Sequence, residues 1–187
     1  RRRMEINKFL NLKLEKQERI LNAALKEFAK KGYKSAMTDE IAKEANISKG
    51  ALFQYFTNKK ALFLFLYDHT LDIVMKEYFQ KVDINEKDIF KRLKQILSIE
   101  FTLLKKYPDL FDFIEVVNHE ESIEVINDLR MRNNEYVISS YGKLMEDIDT
   151  SLFKADVNIN RAINVIIWTM EGFGKKQKEQ IKHLEEL

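Results

Sequence analysis

The chain has 187 residues, 45% hydrophobic and 33% charged, with 32 Lys+Arg against 30 Asp+Glu. This apolar content excludes a disordered chain, and the lack of cysteine excludes disulfides, thiolate metal sites and thiol redox switches. A formal net charge of +2 argues against a uniformly basic nucleic-acid coat protein. One proline and five glycines leave few breakers, so long helices are expected. The longest apolar run, Ala61 to Tyr67, is seven residues, far short of the roughly 18 to 20 of a transmembrane helix. No membrane partner is expected, and a reducing, cytoplasmic location is.

The first helical stripe runs from about Glu15 to Lys31, with Ile20, Ala23, Ala24 and Phe28 on one face. Gly32 suits the residue just past its end, where positive φ is needed. Arg1 to Arg3 precede it as a solvated tail, and Phe9–Leu14 is a short apolar-basic patch expected to pack on this helix. A second, short helix begins at Thr38, whose hydroxyl is expected to cap it by accepting an orphan N–H, with Asp39 and Glu40 at its positive end and Ile41, Ala42 and Ala45 buried. Asn46 breaks it, and Ser48 caps a third from Lys49 to about Tyr55. Thr57 or Asn58 caps a fourth that continues through Leu62, Leu66, Leu71 and Met75 towards Tyr78. Longer helices are expected over Asn85 or Glu86 to Lys106, from Pro108, from Glu121 or Ser122 to about Ile148, and after Asn158. No alternating strand pattern, repeat or low-complexity linker is present. The fold class is therefore all-α, with short helices followed by a bundle of longer ones.

The stretch Glu18 to Leu62 carries the chemistry. Two short helices joined through Ala45-Asn46-Ile47-Ser48 have helix-turn-helix proportions. Small Ala42 and Ala45 allow a close crossing, Asn46 makes the turn and Ile47 plugs the core. Ser48 and Lys49 open the third helix, the end such motifs push into the major groove. Gly50 and Ala51 keep one face of it slim, and Tyr55 and Lys59 can reach phosphates on either side.

These residues resemble the TetR (tetracycline-repressor) family DNA-binding domain: Arg19-Ile20-Leu21, Ala23-Ala24, Phe28, Gly32-Tyr33, Thr38, Ile41-Ala42, Ala45 to Gly50, Leu52-Phe53, Tyr55-Phe56, Asn58-Lys59 and Leu62. The resemblance implies an all-α homodimeric transcription regulator that binds a palindromic double-stranded DNA operator. It implies a C-terminal bundle that takes a small ligand and dimerises through its last helices. Carried over by position, Thr38 opens the second helix and touches phosphate, and Ser48, Lys49 and Gly50 form the exposed start of the recognition helix. Gln54 can read adenine, while Tyr55 and Lys59 contact the backbone. Asn46 stands where the family most often has Gly. Phe53 stands where Tyr is common, and so lacks one hydroxyl.

The charge supports a division of labour. Residues 1–60 hold 15 Lys+Arg and 7 Asp+Glu, a net of +8, and residues 61–187 hold 17 and 23, a net of −6. Only the basic end is expected to meet DNA. The expected domains are 1–58, with an extension over 1–14, and 59–187.

In the second domain Phe101, Phe113, Asn133, Tyr136, Trp168 and Glu171 are candidate lining for an apolar or aromatic effector. Ile163, Ile166, Ile167 and Met170 are candidate dimer-interface residues. His69, His119 and His183 make no zinc signature, and no phosphate loop or nucleophile elbow occurs. No catalytic residue, metal or cofactor is expected. The reading is a repressor released by its ligand. The alternatives are an activator or ligand-independent regulator of the same type, and a helical enzyme or carrier with a vestigial DNA-binding domain.

Overall fold

The computed structural model describes residues 2–134, 139–151 and 153–185. Helices account for the regular structure among them, and no strand is present in the described residues. They are α1 (Arg2–Leu10), α2 (Leu14–Ser35), α3 (Thr38–Glu44), α4 (Lys49–Tyr55), α5 (Lys59–Lys81), α6 (Ile89–Lys106), α7 (Pro108–Asn118), α8 (Ile126–Arg132), α9 (Ser139–Leu144) and α10 (Ile159–Glu185). The chain divides into two compact units, Arg1–Asp147 and Ile148–Leu187.

In the first unit α5 is the spine. Asn58 caps it, Oδ1 accepting the Ala61 N–H at 2.8 Å. Its apolar residues are not confined to one stripe. Leu62, Phe63, Leu64, Leu66, Tyr67 and Leu71 are buried with residues of α1–α4, α7 and α8, and Val74, Met75 and Tyr78 with residues of α6 and α7. A helix apolar on most of its faces must be covered on most of its faces. The helix-turn-helix is consequently fused to the helices that follow it. The most extensive helix pairing in the unit is α2 on α7, so the expected 58/59 boundary is not a break in packing.

Three local differences from the sequence expectations have physical causes. First, α1 is helical and docked, because Phe9 is 1% exposed in the core. Second, Thr38 is the first residue of α3 and not its cap: Met37 takes the extended cap position without a side-chain bond. Third, the helix expected from Glu121 or Ser122 begins at Ile126. Glu120 and Glu124 are drawn to Tyr33: Glu120 Oε2 accepts its N–H at 3.2 Å, and Glu124 Oε2 accepts its hydroxyl at 2.6 Å. The same stretch ends at Leu144 rather than Ile148, with Asp147 at φ 57°.

Arg92 lies on the buried stripe of α6 and is fully buried. Its guanidinium donates to the carbonyls of Leu144 (3.1 Å), Glu146 (2.6 Å), Ile84 (2.6 Å) and Glu86. Four carbonyl dipoles thus solvate the charge where water cannot, and they tie the α5–α6 connection to the end of α9.

The second unit, described by itself, opens with turns. Asn158 then caps α10, its Oδ1 accepting the Arg161 N–H at 3.1 Å. Val165, Trp168 and Phe173 are exposed on α10.

Gly32 interrupts α2 with φ 70° and ψ 175°. The positive φ expected at the helix end is present, but this ψ lies beyond the left-handed helical well, in a region essentially restricted to glycine. An added Cβ would meet only Glu120 Oε2, at 4.0 Å, so the cost of replacement is conformational. Gly32→Ala is expected to lower unfolding stability by about 1 to 3 kcal/mol, and an unchanged denaturation midpoint would refute this account of the turn.

Candidate nucleic-acid interface

The turn between α3 and α4 is shaped by short-range bonds that the sequence makes available and is fixed by one bond from α2. Asn46 adopts φ 52°, and its N–H donates to the Lys43 carbonyl at 3.0 Å. The Ile47 N–H donates to the Ala42 carbonyl, also at 3.0 Å, which folds the chain back across α3. Ile47 is half-buried against the core. Ser48 caps α4, Oγ accepting the Ala51 N–H at 3.1 Å. Arg19 Nε on α2 donates to the Ala45 carbonyl at 2.7 Å and fixes the turn on the helix behind it.

Leu52 and Phe56 face inward, 0% and 2% exposed. The opposite side of α4 is open: Ser48, Lys49, Gly50 and Gln54 are exposed, while Phe53 and Tyr55 are half-buried. Thr38, at the start of α3, is half-buried as well. The arrangement presents a short helix, N-terminus and one face outward, on a basic support. Lys49 Nζ lies 2.7 Å from Asp39 Oδ1, both side chains about half exposed. An exposed pair of this kind contributes only about 0 to 1 kcal/mol, so exchanging Asp39 for a phosphate costs little. At Gly50 an added Cβ would meet nothing nearer than Ser48 Oγ at 3.9 Å. No protein atom therefore requires glycine there.

Lys59 is placed differently from the sequence expectation of a simple backbone clamp. Its ammonium donates to the carbonyls of Lys34 and Ala36, each at 3.1 Å, and lies 4.8 Å from the Tyr33 ring centroid. It braces the end of α2 with two of its three N–H donors. Glu27 braces the same corner, its Oε1 accepting from the Met37 N–H and Lys31 Nζ, each at 2.9 Å. Partial burial pushes the Glu27 carboxyl up, but these two donors outweigh it and hold the group below the usual carboxylate range. The Tyr33 hydroxyl is raised well above its ordinary value, by burial first and then by its bond to the Glu124 carboxylate.

The remaining sequence candidates fall into several environments. Phe113 is a core ring, 0% exposed between Phe28 and Phe63, so it is corrected from pocket wall to packing. Phe101 is 53% exposed with Lys105 Nζ 4.5 Å from its ring centroid, and Asn133 is exposed. Tyr136 lies outside the described residues, as does the side chain of Glu171. Trp168 is exposed on α10, and Ile163, Ile166, Ile167 and Met170 are half-buried there. Phe9, expected to pack on α2, packs instead on the rings of Tyr55, Phe56 and Phe65, and two contributors were not read from sequence: Arg92 and the Glu120–Glu124 pair. Arg92 had a legible signal, since it shares the i, i+3, i+7 stripe of Ile89 and Ile96. The two glutamates had none, because their partner lies 87 to 91 residues away.

Residues 20–66 match the family described as bacterial regulatory proteins, tetR family. Over 58 residues the chain is 50% identical to the uncharacterized HTH-type transcriptional regulator YuxN of Bacillus subtilis, covering 31% of this chain and 20% of that protein. Over 167 residues it is 26% identical to the fatty acid metabolism regulator protein of Bacillus subtilis, covering 85% and 81%. The solved structure of FadR from Bacillus subtilis in complex with stearoyl-CoA superposes with a TM-score of 0.64 at 25% identity, covering 82% of each chain. The chain spans 20%, 36% and 37% of the first three curated relatives it matches.

The position of Lys59 yields a measurable consequence without DNA. Lys59→Ala removes a charged donor from two carbonyls and is expected to lower the stability of the free protein by about 1 to 3 kcal/mol. A thermal midpoint equal to that of the parent chain would show that the brace contributes nothing.

Proposed function

We propose that this chain, which belongs to the tetR family of bacterial regulatory proteins, is a DNA-binding repressor that occupies a palindromic operator as a homodimer and leaves it when a small ligand binds. The observation that carries the reading is the open face of α4, with Lys49 and Gly50 exposed on a caged turn. Ser48, Lys49 and Gly50 enter the major groove, Gln54 reads a base edge, and Thr38, Tyr55 and the free N–H of Lys59 contact phosphates. Phe53 packs beside them without the hydroxyl that a tyrosine would bring. The +8 of residues 1–60 supplies the sequence-independent attraction.

Dimerisation through the second unit is supported by the apolar residues of α10: Ile163, Ile166, Ile167 and Met170 half-buried, Trp168 exposed. Two recognition helices would then sit on one DNA face, about 34 to 36 Å apart.

The effector class we favour is a long-chain acyl-CoA. The support is the 26% identity to a fatty acid metabolism regulator over most of both chains, and the stearoyl-CoA complex of a structural relative. An acyl chain fits the apolar ligand expected from the aromatic content of the C-terminal half. The route for its signal begins at α7, whose Phe113 packs on Phe28 and Phe63. It continues through Glu120 and Glu124 to Tyr33, and from Tyr33 to Lys59 at the head of α5. A ligand that favours another placement of α7 draws on these contacts and shifts the population away from the operator-binding form.

Selection from a random-core duplex library by the full chain is expected to enrich a two-fold symmetric site, and enrichment of no sequence would overturn the DNA-binding reading. On that site Gly50→Leu is expected to abolish binding without lowering the thermal midpoint, since no protein atom crowds the position and leucine favours helix by about 1 kcal/mol over glycine. Retained affinity would remove α4 from the groove. Stearoyl-CoA added to the complex is expected to release the duplex; a complex that persists at saturating ligand excludes the acyl-CoA class.

A further inference from the structure

α1 lies outside the helix-turn-helix, yet it is built onto it. The Phe9 ring packs edge-on to Tyr55 at 6.2 Å and on Phe56 and Phe65 at 5.1 and 5.4 Å between centroids. Tyr55 ends the recognition helix α4, and Phe56 caps its C-terminus. The connection to α2 is also clamped, because Gln17 Nε2 donates to the carbonyls of Leu10 (3.0 Å) and Leu12 (2.8 Å). A segment anchored at both points carries its cations in fixed positions.

Those cations are Lys8 and Lys13, both exposed, and Lys16, whose ammonium stands 5.8 Å from the Tyr55 ring centroid. Among the described residues no carboxylate forms an ion pair with any of them. Elsewhere in the first unit Lys26, Lys31, Lys49 and Lys60 pair with Glu44, Glu27, Asp39 and Asp128, and Lys30, Lys34 and Lys43, which like Lys8, Lys13 and Lys16 form no ion pair among the described residues, lie on α2 and α3. A positive group on an anchored segment beside a recognition helix, without an acid partner among the described residues, suits an anion from outside the chain. DNA phosphate is the anion that the neighbouring helix brings near.

We propose that α1 and its turn form a second phosphate-contacting element, in which Lys8, Lys13 and Lys16 hold the DNA backbone beside the major-groove contact of α4. Phe9 is the positioning residue that keeps them there. This rests on the reading of α4 as the recognition helix, and it extends the interface beyond the residues that match the family. It predicts a longer footprint and a steeper salt dependence than α3, α4 and Lys59 alone would give.

The test uses the full chain and a duplex it enriches from a random-core library, with affinity measured across salt concentration. The double variant Lys8→Gln, Lys13→Gln is expected to reduce the log–log slope by about 1.8, at roughly 0.9 per phosphate contact. Lys87→Gln with Lys91→Gln removes the same charge from exposed positions at the start of α6, and is expected to leave the slope unchanged. Phe9→Leu keeps an apolar side chain in the core while loosening α1, and is expected to lose part of the slope with every lysine present. An unchanged slope in the Lys8/Lys13 variant overturns the proposal, as does an equal loss in the Lys87/Lys91 variant. Failure to enrich any duplex overturns the DNA-binding reading and this inference together, whereas enrichment with an unchanged slope overturns this inference alone.

Discussion

The first unit is organised around one ring. Phe63, in the first turns of α5, packs against Phe28 of α2 at 4.9 Å, Tyr33 at 5.1 Å and Phe113 of α7 at 5.3 Å, each edge-on. Edge-on packing places the positive rim of one ring on the negative face of the next, and such pairs add about 0.5 to 1.5 kcal/mol beyond burial alone. The cluster fixes the helix behind the recognition motif, the spine that leaves it and the helix that follows in the bundle. None of the three can move without disturbing a ring that is wholly buried. Close-packed interiors respond to such displacement by switching arrangement rather than by stretching. The contact that gives α2 its rigidity is thereby also the contact that joins it to α5 and α7.

Polar groups finish what the rings begin. At the Gly32 break the backbone leaves α2 with unsatisfied groups, and distant residues answer them. Glu120 takes the Tyr33 N–H, and Lys59 fills the Lys34 and Ala36 carbonyls. A positive charge on carbonyls at a helix end and a negative charge on a free N–H are the favourable senses of the peptide dipole. Lys59 stands at the head of α5 and Glu120 just after α7, so the corner at the end of α2 shares its polar partners with both helices. Arg92 performs a parallel service at the far end of the spine, about 34 Å away along a helix of 23 residues. There four backbone carbonyls gather round one buried guanidinium.

The interface proposed for DNA is assembled on the opposite principle. Ser48, Lys49, Gly50 and Gln54 have few obligations inside the chain. The caging is done by Arg19, Asn46 and Ile47, which hold the turn so that the exposed face arrives already shaped. Preorganisation of this kind lowers the ordering cost of binding. Tyr55 is the exception, since Phe9 and Lys16 pack on its ring from the N-terminal segment. That contact makes the segment before the family motif part of the same surface.

The helices and the turn were legible in the sequence because they depend on neighbours three to five residues away. Apolar spacing gave α2 and α5, Ser48 and Asn58 act as the caps their chemistry suits, and Asn46 takes the positive φ that its side chain tolerates. The split of charge was legible too, being only a matter of counting. What lay beyond the sequence was settled by contacts between residues far apart in the chain. Thr38 is not a cap, because the preceding Met37 already has the extended backbone. Phe113, aromatic and mid-helix, reads equally as pocket or core until α2 and α5 close over it. Lys59 reads as a solvated clamp until the end of α2 is brought under its ammonium. The start of α8 slips to Ile126 because two glutamates find Tyr33 across some ninety residues. Local hydrogen bonding and periodicity determine which segments are helical. Only tertiary packing decides which polar groups meet, because a charge or an orphan carbonyl takes the partner the fold delivers and not the one nearest in sequence.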